Sequence, residues 1–171
     1  TMSNLFDEML ALKKIPRAGW LRVGIDDPES VAAHSWGVCW LVLALCPEDI
    51  DQGHALRLAV IHDAPEVRVG DITPYDGVSR KEKAIRETAA ASDMFRSRPD
   101  LIALLDEYQA QETPEARFVH QLDRLDMAFQ ALRYGRDTGV DTTEFLQSAR
   151  RAIQHPALLK ALDDAEQSLQ P

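Results

Sequence analysis

Apolar and polar positions recur with a helical period along most of this chain. In residues 3–14, Leu5, Met9 and Leu12 fall on one face, and Pro16 stops the segment. Residues 17–27 (RAGWLRVGIDD) hold two glycines and no sustained period, which predicts a loop. Residues 28–46 predict a long helix with Glu29 and Ser30 in its first turn. Val31, Trp36, Val38, Leu41, Val42 and Leu45 make it apolar on most sides, so its expected place is central. Pro47 breaks it. A second helix starts there and carries Ala55, Leu58, Ala59 and Ile61 to His62. Pro65 interrupts or restarts the helix, and Gly70 and Pro74 mark a turn. Ser79 with Glu82 fits a capping box for a charged helix over 79–95. Residues 99–111 are amphipathic on Leu101, Leu104, Leu105 and Tyr108. Thr113-Pro114-Glu115 opens a long helix with the stripe Phe118, Leu122, Leu125, Phe129 and Leu132, running to about Tyr134 with Gly135 as its end. Residues 142–154 and 156–169 predict two peripheral helices. No segment reads as a strand. The prediction is an all-α chain forming one domain over 1–171, with a core at about 3–136 and peripheral C-terminal helices at about 142–169.

Composition narrows the function. A chain of 171 residues can close one core. Its net charge of −9 argues against an electrostatic grip on a nucleic acid polymer or an anionic membrane. A small phosphorylated ligand needs only local positive charge. Cys39 and Cys46 are seven apart on one helical face, which predicts buried thiols rather than a disulfide and fits a reducing cytoplasm. Residues 1–14 lack the continuous apolar centre of a signal peptide, and the longest apolar run, 38–46, is too short to span a bilayer.

The chemistry concentrates in residues 60–74, VIHDAPEVRVGDITP, which hold His62, Asp63, Glu66 and Asp71 beside Val60 and Ile61. Charged groups near a core are costly unless paired or bound to metal. A solvated helix end with one satisfied histidine is the bland alternative. Two further features bear on it. His34 sits in the central apolar helix among small neighbours. Asp123 and Asp126 flank the core-facing stripe of the long helix. Two histidines and two carboxylates would hold a divalent ion with positions open for water and a phosphate oxygen. Such a mixed shell suits Mn²⁺, Co²⁺ or Mg²⁺ better than a closed structural zinc site. Glu66 and Asp71 are then spare carboxylates for proton transfer. Arg17, Trp20 and Arg22 share one loop, which is either a surface accident or one wall of an anion pocket. Arg80, Lys81, Lys83 and Arg86 read as a solvated basic face.

The pattern His34, His62-Asp63 and Asp123 resembles the HD-domain metal-dependent phosphohydrolases. The segments LKKIPRAGW, DPESVAAHSW, AVIHDAPEVRVGDITP and EARFVHQLDRLDMAFQA are similar, in order, to the 5′-deoxynucleotidase branch of that family. The resemblance implies a single HD-domain helical bundle that hydrolyses deoxyribonucleoside 5′-monophosphates, often as a homodimer. It implies His34, His62, Asp63 and Asp123 as metal ligands and ties Glu66 and Asp71 to catalysis. It sets Trp20 near the sugar, where it helps exclude a 2′-hydroxyl, and makes Arg17 a phosphate contact. One departure stands out: where relatives often carry an acidic run, residues 86–90 hold Glu87 alone, which bears on the number of ions bound. His54, His120 and His155 are expected to be surface or structural, which disfavours oxidative chemistry at a di-iron centre. A non-catalytic metal- or nucleotide-binding module is the other class of reading, and Glu66 and Asp71 argue against it. The homodimer rests on resemblance alone, since no apolar stripe is left unspent in the sequence.

Overall fold

The computed structural model describes residues 2–169. Its helices are α1 (Met2–Leu10), α2 (Ala18–Arg22), α3 (Val31–Leu45), α4 (Gln52–Ile61), α5 (Glu66–Val69), α6 (Arg80–Met94), α7 (Pro99–Ala110), α8 (Pro114–Thr138), α9 (Thr143–Ala152) and α10 (Pro156–Ser168). A 3₁₀ turn, Ala11–Lys13, follows α1. Among the described residues there is no strand, and the all-α expectation holds.

The centre is the packing of α3, α4 and α8 on one another. Val38, Leu41 and Val42 meet Leu58 and Ala59 and, from α8, Leu122, Leu125 and Ala128, all buried. Each fully buried large apolar side chain contributes on the order of 1.5–3 kcal/mol. Helix α7 lies across α4, α6 and α8, while α9 and α10 close against α8. The C-terminal helices are outer in position, yet Ala149, Ile153, Leu158 and Leu162 join the same buried cluster as Trp20.

Several boundaries differ from the sequence expectation, each for a local reason. Residues 18–22 form a short helix inside the expected loop, because five residues are too few to display a period. Helix α3 begins at Val31, where the Ser30 hydroxyl accepts from the Ala33 N–H at 3.0 Å. The preceding residues are extended because they pair with 15–17. Arg17 N–H donates to Glu29 C=O (3.0 Å) and Val31 N–H to Ile15 C=O (2.8 Å), forming an antiparallel bridge between Pro16 and Ser30. Helix α8 continues through Gly135 and stops at Gly139, whose φ of 74° is the left-handed conformation of a helix terminator. On α3, Trp36, Trp40 and Leu43 are 70%, 54% and 53% exposed, so an outward apolar row does remain.

Candidate metal centre

The site stands where the central helices meet. His34 lies in the first turns of α3, His62 and Asp63 in the turn after α4, and Asp123 midway along α8. Pro65 ends the α4 register, so Glu66 opens α5 as a separate helix, held to the turn by Glu66 N–H donating to Asp63 C=O (3.0 Å). Donor atoms of His34, His62 and Asp123 all lie within 4.8 Å of one another. Asp63 Oδ2 is 3.1 Å from His62 Nε2 and 3.7 Å from His34 Nε2. Asp123 Oδ1 is 2.9 Å from His34 Nε2. The four residues expected from sequence as ligands are therefore brought together.

Each imidazole is also held from behind. His62 Nδ1–H donates to the Ala59 carbonyl (2.7 Å), and His34 Nδ1 lies 2.7 Å from Asp126 Oδ2. A carbonyl or carboxylate behind each ring is the usual support of a metal-bound histidine, fixing tautomer and orientation. Gly37 makes the Asp126 contact possible: a Cβ there would overlap the Asp126 carboxylate. Asp126 was visible in sequence as an acid three residues beyond Asp123, but its partner was not.

The donor set suits a divalent ion on one local observation. A carbonyl only accepts, so His62 carries a proton on Nδ1. Its buried Nε2 has no hydrogen-bond partner and faces Asp63 Oδ2 at 3.1 Å. A lone pair against an anionic oxygen repels, so either a second proton or a metal ion has to stand between them. Imidazole nitrogen with carboxylate oxygen suits first-row divalent ions.

The charges respond accordingly. Burial and Arg17 oppose protonation of His34, but its hydrogen bonds with Asp123 and Asp126 prevail, and its pKa is pushed up to about 10. Burial works against ionisation of Asp63 and Asp123, yet the neighbouring histidines hold both below the usual carboxylate range. Glu66 behaves in the opposite way. Burial first, then the charges of Asp63 and Asp71, push its pKa well above the usual carboxylate value. Its Oε2 is buried and unpartnered. Arg17 stays charged despite burial because Asp71, Asp63, Asp123 and Glu66 surround it. Its guanidinium is 3.5 Å from Asp71 and 4.0 Å from Asp63. Asp71 also accepts from the Ala18 N–H at 2.8 Å, so it anchors the start of α2.

Trp20 stands apart from this group. It is 2% exposed, with its ring against Tyr134 and Phe145 and its indole N–H donating to Glu29 (3.1 Å). Beside the ligands lies a cavity of about 220 Å³ whose wall includes His62, Asp63 and Asp123 together with Lys83, Tyr108 and Arg124. Lys83 departs from the solvated face expected for its basic run. It turns inward, 3.8 Å from Glu66 and 3.5 Å from Glu87, whereas Arg86 pairs outward with Glu82. His120, expected to be structural, also lines this cavity. His54 pairs with Glu107 (2.8 Å), and His155 accepts from the Ala157 N–H at the start of α10, so these two are structural as expected. Cys39 and Cys46 are free thiols, half-buried rather than buried.

Residues 9–161 match the HD domain family. The chain is 33% identical to the 5′-deoxynucleotidase HDDC2 of Bos taurus, over 91% of its own length and 79% of the relative's. It is 34% identical to the 5′-deoxynucleotidase hdd1 of Schizosaccharomyces pombe, over 94% and 86% of the two chains. Among solved structures, the PH0347 protein of Pyrococcus horikoshii superposes with a TM-score of 0.83 at 30% identity, covering 98% of this chain and 99% of that one.

Proposed function

The chain belongs to the HD-domain family, and on that premise we propose that it hydrolyses deoxyribonucleoside 5′-monophosphates to deoxynucleoside and phosphate. It is a metal-dependent nucleotide phosphohydrolase. The observation that carries the site assignment is the buried His62 Nε2 set against Asp63 with no hydrogen-bond partner. His34, His62, Asp63 and Asp123 hold the ion, which is Mn²⁺, Co²⁺ or Mg²⁺ on this reading. Such an ion supplies Lewis acidity toward water and toward phosphoryl oxygen.

The remaining groups divide the work. Glu66, its pKa raised by burial and with one oxygen free, is assigned to protonate the oxygen of the departing sugar. Arg17 presents fixed positive charge beside Asp63, where a phosphate oxygen would gather negative charge in the transition state. Asp71 takes its catalytic part by holding Arg17 and the Ala18 N–H in place. Trp20, buried against Tyr134 and Phe145, anchors the loop that carries Arg17. That loop is assigned the discrimination against a 2′-hydroxyl.

The reading extends to a cytoplasmic homodimer. Two unpaired cysteines suit a reducing compartment. The exposed Trp36, Trp40 and Leu43 form a row on α3 that a second copy can cover. Light scattering is expected to give a dimer for the native protein and a monomer for Trp36→Ser with Trp40→Ser.

The decisive assay is phosphate release by metal-stripped protein given dAMP, dGMP, dCMP, dTMP or AMP with each ion in turn. Release from the deoxy substrates, dependent on added ion and weak with AMP, is the expected result. Glu66→Gln should lower turnover about 10²-fold or more while metal binding persists. A Glu66→Gln protein with native turnover would remove the proton-donor role. Tight metal binding without release from any of the five would point to another phosphate ester or to a binding module.

A further inference from the structure

Two cations of the cavity wall have no part in the scheme above. Lys83 reaches in from α6 and Arg124 from α8, and both line the space beside His62, Asp63 and Asp123. Neither is tightly engaged by the ion pairs it makes. Lys83 Nζ is 3.5 Å from Glu87, 3.8 Å from Glu66 and 3.4 Å from the Ile72 carbonyl. Arg124 Nε is 3.9 Å from Asp123. Charge-assisted bonds ordinarily close to about 2.7–2.9 Å, as Arg22–Glu144 (2.6 Å), Arg86–Glu82 (2.8 Å) and Arg150–Asp163 (2.7 Å) do here. Both side chains are about one third exposed, 33% and 37%, against 15% for Arg17. Arg17 is thus set within the site, and the other two stand nearer solvent.

The acids make such cations necessary. Asp63, Asp123 and Glu87 face the same cavity, in a chain of net charge −9. A phosphate dianion approaching that wall is repelled unless positive charge lies on its path. Lysine offers three rotatable donors on a flexible stem, and arginine a planar fork matched to phosphate oxygens. A loosely paired cation can exchange a carboxylate for an arriving phosphate at little electrostatic loss.

We propose that Lys83 and Arg124 form a paired seat that captures the phosphate of the substrate at the cavity mouth and later binds the released inorganic phosphate. This rests on the phosphohydrolase reading. Both are binding residues for that reaction, Lys83 contributed by α6 and Arg124 by α8 next to Asp123.

The test uses the metal-loaded protein and inorganic phosphate as probe. For Lys83→Gln and Arg124→Gln, kcat/KM toward dAMP should fall at least tenfold, carried by KM. The inhibition constant for phosphate should rise in parallel, and the salt dependence of kcat/KM should weaken. Lys83→Arg and Arg124→Lys should restore most of both. If Lys83 only balanced Glu66 and Glu87, its variant would shift kcat and the pH profile and leave phosphate inhibition unchanged. If Arg124 only supported Asp123, metal affinity would fall with inhibition unchanged. Either result overturns the paired seat. Should the native protein release phosphate from no ester, the phosphohydrolase reading fails instead. Calorimetric binding of phosphate to native and variant protein then decides the seat alone, and equal affinity overturns it.

Discussion

Asp126 does for His34 what the Ala59 carbonyl does for His62: it takes the outward ring nitrogen and leaves the other for the site. That makes Gly37 a residue of consequence although it carries no chemistry. Gly37→Ala would drive the new methyl into the Asp126 carboxylate and turn His34 loose. Losing such support typically costs 10–100-fold in metal affinity, and a metal titration of the variant should show it. The same ring sets a pH dependence. His34 rises from 6.5 to about 10, so in metal-free protein its contribution to stability is fully present below about pH 6.5 and is lost as pH rises through about 10. Metal has to displace that proton, so metal affinity should climb with pH over the same window. Calorimetry in buffers of different ionisation enthalpy should record proton release at neutral pH. The four residues that come together here were legible in sequence because histidine and aspartate beside apolar runs demand a partner. Lys83 was not, because nothing in RKEKAIR tells which turn of α6 faces the cavity.

The elements were legible where period and caps agreed, as at Ser79 and Thr113, which accept from backbone N–H groups at the starts of α6 and α8. Helices α3 and α4 start later than the sequence reading, at Val31 and Gln52, where Ser30 and Asp51 accept in the same way. Ser30→Ala should cost about 1 kcal/mol, and the denaturant midpoint should fall accordingly. The loss also bears on the site, since His34 lies only four residues along α3 and its own N–H donates to Ser30 C=O. Leu58→Ala, deep in α4, should cost about 2–5 kcal/mol, far more than the cap, because it opens a cavity under the turn that bears His62 and Asp63. A single residue type is a weaker signal: Gly135 reads as a terminator in sequence, but a helix tolerates glycine for about 1 kcal/mol, and α8 runs on to Gly139. The outward row on α3 was hidden because an apolar helix gives no hint of which face its neighbours leave uncovered.

Across the whole molecule the candidate metal ligands come from three places far apart in sequence, α3, the turn after α4, and α8. An unfolded chain cannot assemble them, so binding the ion is linked to folding. Ion at one hundred times its dissociation constant should add about 2.7 kcal/mol of stability. Thermal unfolding with and without chelator measures this directly, and an unchanged melting temperature would count against the site. The clip between Pro16 and Ser30 works at the same scale. It fastens both ends of the intervening loop to the start of α3, so the segment from Trp20 to Asp27 is tied off from the ligand frame, with Arg17 at its root. Within that segment Trp20 and Ile25 are buried in the core, so substitution is open only at its exposed positions, such as Leu21, Asp26 and Asp27. A change there alters the rim of the loop and leaves the ligand frame as it is.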